Sequence, residues 1–85
     1  MARGHVIFVS KNQGMIVVQH DGGFALVELL GSEGELAVGD AVVADWNALG
    51  REEFRAHDES HDAFFQGNWG ARQTAIDAAR RAGGG

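Results

Sequence analysis

The stretch GHVIFVSKNQGMIVVQHDGGFALVEL, residues 4–29, decides the fold class. Val6 to Ser10 and Met15 to Gln19 are dense in Val, Ile and Phe, the composition of strands. Lys11-Asn12-Gln13-Gly14 turns the chain between them. Asp21-Gly22-Gly23 is a stronger turn signal, because glycine takes positive φ at no steric cost. Phe24 to Leu29 is then a third strand, and two hairpins in succession make a meander.

Outward from this core, the pattern continues as short strands. Gly31-Ser32-Glu33-Gly34-Glu35 is a polar loop, and Ala41 to Trp46 a fourth strand. Arg51 to His57 reads as a fifth, with Phe54 and Ala56 on one face. His57 to Asp62 reads as an exposed acidic turn, and Ala63 to Gln66 as a short sixth strand. The C-terminal segment changes period. Thr74 with Asp77 has the spacing of a capping box, and Ala75, Ile76, Ala78, Ala79 and Ala82 follow as helix formers or tolerable ones. Arg80 and Arg81 suit the negative end of that helix. Alone it is too short to be stable in water, so it must dock Ile76 and Ala79 on something apolar. Residues 1–82 are expected to form one domain and glycines 83–85 a disordered tail.

Length and composition bound the rest. Eighty-five residues, 45% of them apolar, suffice for one core. Cysteine is absent, so disulfides and thiolate metal sites are excluded. The net charge of −5 is uneven. Residues 21–62 hold eleven acids against Arg51 and Arg55, whereas both ends are basic. An acidic middle repels phosphate backbones, so nucleic-acid contact would have to use the ends. No run of 18 apolar residues spans a membrane, and Met1 to His5 lacks the apolar stretch of a signal peptide, so the expected compartment is the cytoplasm.

Gly4-x-Val6 opening a strand, Gly14 ten residues on, Asp21-Gly22-Gly23, and Ala25-Leu26-Val27-Glu28 together resemble the cold-shock domain and related OB-fold nucleic-acid-binding modules. Leu36-x-Val38-Gly39-Asp40-x-Val42 resembles the approach to that family's fourth strand. The likeness covers about half of the chain. It implies a mostly β fold: a small antiparallel OB-like barrel of five to six strands with a short C-terminal helix. An SH3-like barrel is the alternative. By the same resemblance, the family's strand-one tryptophan falls on Phe8 and its two strand-two phenylalanines on Met15 and Val17. Its strand-three phenylalanine falls on Leu26, its histidine on Glu28 and its motif lysine on Gln13. Only Phe8 stays aromatic, and base stacking on such faces supplies ~1–3 kcal/mol per base.

The function expected is therefore a small non-enzymatic binding module. Single-stranded RNA or DNA is the first candidate ligand, held by Phe8, Lys11, Met15, Val17 and Leu26 with Arg3 and Arg72. The alternative is a protein-interaction or structural module whose apolar barrel face is covered by its own helix, a second copy or another partner. An anion site at Gly70 and Arg72, before the helix, is a further candidate. His57 and His61, four apart among Asp58, Glu59 and Asp62, have a zinc-like spacing, but the solvated-turn reading carries more weight there and no metal is assigned. No cofactor is expected. Cysteine, tyrosine and a nucleophile elbow are all missing, and none of the many carboxylates is paired by spacing, so no enzymatic activity is expected. Of Phe64 and Phe65, alternation puts one in the core and leaves the other as a contact site if exposed.

Overall fold

Six strands send successive side chains alternately inward and outward and close on themselves. In the computed structural model, which describes residues 1–83, they are β1 (Ala2–Val9), β2 (Met15–His20), β3 (Gly23–Leu29), β4 (Ala41–Ala44), β5 (Gly50–Ala56) and β6 (Glu59–Trp69). The order around the closed antiparallel barrel is β1-β2-β3-β6-β5-β4. The first three strands form the meander read from residues 4–29. β4 returns to lie beside β1, which completes a Greek key. β4, β5 and β6 form a second meander, and β6 closes the barrel against β3. This is an OB-like barrel followed by one helix, α1 (Arg72–Gly83).

The interior is filled by Val6, Ile16, Val18, Ala25, Val27, Val42, Phe54 and Phe65, with smaller residues between them. Trp46 seals one end. It is 3% exposed, stacks between His20 and Phe65 at 5.9 and 5.7 Å, and donates its indole N–H to Ala2 O at 2.8 Å. His61 is 5% exposed and stacks on Phe54 at 5.1 Å. Its ring nitrogens meet Ser32 Oγ at 2.8 Å and Ala56 O at 3.3 Å. A buried imidazole with both nitrogens partnered is a structural residue.

Three expectations are corrected. The acidic segment 57–62 is a turn only at His57 and Asp58; Glu59 already opens β6. Both turn residues have positive φ, 55° and 61°, the two-residue arrangement that favours hairpin twist. Glycine and asparagine usually mark that turn, and His57-Asp58 carries neither. Second, the sixth strand does not stop at Gln66 but runs on through Gly67-Asn68-Trp69. β6 bends at a bulge opposite Leu26 and Val27, where Gly67 has φ 149°, and Trp69 still pairs with Phe24. Third, Thr74 does not cap the helix. α1 starts two residues earlier, its first bond running from Ala75 N–H to Ala71 O at 3.2 Å. β6 delivers the chain to the outer face at Trp69, and only Gly70 and Ala71 separate strand from helix. The helix includes Gly83, and the rest of the expected glycine tail, 84–85, lies outside the described residues.

The strained hairpin turn gives a direct test. Glycine at position 58 relieves the steric cost of positive φ, and Arg55 keeps its contact to the residue-58 carbonyl. Asp58→Gly is expected to raise stability by up to about 1 kcal/mol, seen as a higher urea midpoint at unchanged slope. A lower midpoint would show that the aspartate side chain contributes more than its strain costs.

Candidate interaction face

The outer surface of β1, β2 and β3 is the face on which the resemblance places ligand contacts. Met15, Val17 and Leu26 point outward there because their neighbours Ile16, Val18, Ala25 and Val27 point inward. Phe8 joins them through a bulge. The β1–β2 register shifts between Val6 and Phe8, so one extra residue is inserted and both Ile7 and Phe8 reach the outer cluster. Strict alternation sends Ile7 and Phe8 to opposite faces, so only the bulge, which local pattern does not show, brings Ile7 to this cluster. Phe24 and Trp69, cross-strand partners, complete the margin of the cluster.

This face is covered. α1 lies over it and inserts Ala75, Ile76 and Ala79, with Ala78 packed at the side. Ile76 and Ala79 are the residues whose docking the helix needed. Three of the alanines bring the helix close to the sheet, since their side chains end at Cβ. Beneath it Val17 is 0% exposed and Met15 and Leu26 are each 4% exposed. Phe8 is half-buried, and the Arg80 guanidinium sits over its ring, 5.6 Å from the centroid. An exchange of helix for bases on this surface would have to remove all of these contacts.

The β1–β2 turn beside the face is tied internally. Ser10 Oγ donates to Asn12 Oδ1 at 2.7 Å and accepts from Met15 N–H at 3.0 Å, and Asn12 Oδ1 also accepts from Gly14 N–H. Lys11 lies in this turn and is exposed. Arg3 is not near the cluster. It lines a groove with Ala41, Val43 and Arg55 on the β1–β4–β5 side of the barrel. Gly70 and Arg72 are exposed at the start of α1. The residues nominated for one ligand thus divide: Phe8, Met15, Val17 and Leu26 form one cluster, while Arg3 lies apart from it.

The remaining aromatics separate by strand alternation. Phe65 is core at 2% exposure, and Phe64 is 41% exposed on the outer face of β6. Phe64 sits in a cross-strand row between Glu28 and Arg51, and Gln66 beside it donates to Glu28 Oε1 at 3.1 Å. His57 and His61 do not converge: His61 is interior, whereas His57 pairs outward with Asp40 at 3.2 Å. Among the described residues no three His, Asp or Glu side chains gather as metal ligands. No described helix is long and apolar enough to cross a membrane.

No family model, curated protein or solved structure matches the chain.

Proposed function

We propose that this protein is a small non-enzymatic interaction module whose barrel platform is closed by its own C-terminal helix. The observation that carries this reading is the burial of Met15, Val17 and Leu26 beneath Ala75, Ile76 and Ala79. Bases need open faces on which to stack, and here that area is occupied from within the chain. The loss of the aromatic positions and the acidic middle of the chain support the same reading. Contact with a protein partner then falls to surfaces outside the helix, with Phe64 as an exposed aromatic anchor between Glu28 and Arg51, apolar at the centre and polar at the rim.

NMR titration with mixed-sequence single-stranded DNA and RNA tests the assignment. At physiological salt the amides of Phe8, Met15, Val17 and Leu26 are expected not to shift, and to exchange slowly with solvent. Shifts centred on those four residues would instead restore single-stranded nucleic acid as the ligand, with the helix displaced to admit it.

A further inference from the structure

The barrel side away from α1 carries a second arrangement, made of basic rather than apolar groups. Arg3 of β1 pairs in register with Val43 of β4, and Val43 pairs with Arg55 of β5. The three therefore form one row across the outer surface, with an arginine on each side of a half-buried valine. Strand spacing puts the two arginine Cα atoms about 10 Å apart, well within the joint reach of two guanidinium side chains. In the next row His5 pairs with Ala41. His57, directly after β5, lines the same groove as Arg3, Ala41 and Arg55. Two arginines and two histidines thus surround a floor of Ala41 and Val43.

Shape and charge both mark this as a place for a ligand. The groove between Arg3, Val43, Arg55 and His57 has a volume of about 400 Å³, and a second hollow of about 460 Å³ continues it along Arg3, His5 and Gln19. In a chain with twelve carboxylates, neither Arg3 nor Arg55 has one within ion-pair distance among the described residues. Arg55 makes only a long contact, 3.5 Å, to the backbone carbonyl of Asp58. His57 is held in place by Asp40 at 3.2 Å and by its position in the tight turn.

We propose that this groove binds a compact phosphoryl anion, a phosphate or diphosphate group of a small molecule. Carboxylates set the limit on size. Asp58 and Asp40 lie at one end and Asp21 at the other, so an extended polyanion would run into negative charge while a compact one stays among the basic groups. The two-sided placement sets the chemistry. A planar carboxylate is satisfied by one guanidinium fork, whereas a tetrahedral phosphoryl group presents oxygens to both forks and to an imidazole N–H. The site is remote from the helix-covered cluster, so it stands or falls separately from the closed-platform reading.

Titration of inorganic pyrophosphate into the full chain, followed by amide and arginine side-chain NMR, tests it. Saturable shifts are expected at Arg3, Ala41, Val43 and Arg55. Arg3→Gln and Arg55→Gln should each weaken binding about tenfold or more, and Ala41→Glu, which sets a carboxylate between the rows, should abolish it. Arg72→Gln, on the helix, should leave it unchanged. All four positions are exposed, and a retained amide spectrum confirms folding in each variant. The proposal is overturned by non-saturable shifts, by an equal loss in Arg72→Gln, or by succinate binding at the same residues as tightly as pyrophosphate.

Discussion

Ending the chain after Ala71 should convert a covered barrel surface into a self-associating one and cost roughly 2–4 kcal/mol of stability. The deletion removes Ala75, Ile76 and Ala79 and uncovers Ile7, Met15, Val17 and Leu26 together. Burying one large apolar side chain is worth about 1.5–3 kcal/mol. Several lose part of their cover at once, offset in part by the conformational entropy of a helix that no longer needs ordering. For a domain of this size the total stability is only about 0.05–0.15 kcal/mol per residue, so the loss is a large fraction of it. The barrel ladder itself is closed without the helix, and the expected product is a destabilised barrel rather than an unfolded chain. Sedimentation and a hydrophobic dye should report association and the exposed patch, and urea titration the lower midpoint. Ile76→Asp makes the same test in the full-length chain, since a carboxylate at an 8% exposed position resists burial. Unchanged stability and oligomeric state in both would remove the covering role of the helix.

Phe54→Ala should be the most damaging single substitution, lowering stability by about 3–5 kcal/mol and leaving little folded protein at 37 °C. Phe54 is 1% exposed and the largest of the fully buried side chains. It also carries the stacked ring of His61, which ties Ser32 and the carbonyl of Ala56 into the barrel wall. Removal leaves a cavity and loosens those hydrogen bonds together. Phe64→Ala is the internal comparison. With 41% exposure and an outward position, it should shift the midpoint by no more than about 1 kcal/mol. Thermal and urea unfolding of the two variants measures the contrast. Similar losses in both would contradict the placement of the two phenylalanines.

Much of this architecture is written in local pattern. β2 and β3 lie within one residue of their expected bounds, because Asp21-Gly22-Gly23 and the flanking alternation both mark the same hairpin. At Gly23 the requirement is explicit: φ is 133°, and a Cβ would stand 2.7 Å from the Trp69 carbonyl oxygen. The apolar outer face of Met15, Val17 and Leu26 was also legible, as was the need for Ile76 and Ala79 to dock. What escaped was set by partners distant in sequence. The Gly67–Trp69 segment has the local character of a loop and becomes strand only because Phe24 pairs with it. The turn at His57 and Asp58 holds positive φ without glycine because β5 and β6 pair along its whole approach.

Residues 4–29, read alone, establish a barrel meander and an apolar stripe on its outside. Period-two alternation and glycine turns suffice for that, since both depend on near neighbours in the chain. They leave open which of several covers lies on the stripe, because a cover is chosen by the free energy of packing between segments about fifty residues apart. The tertiary structure places the alanine face of α1 there. It also brings Arg3 and Arg55 to either side of Val43, a pairing that only strand register across a closed sheet can make.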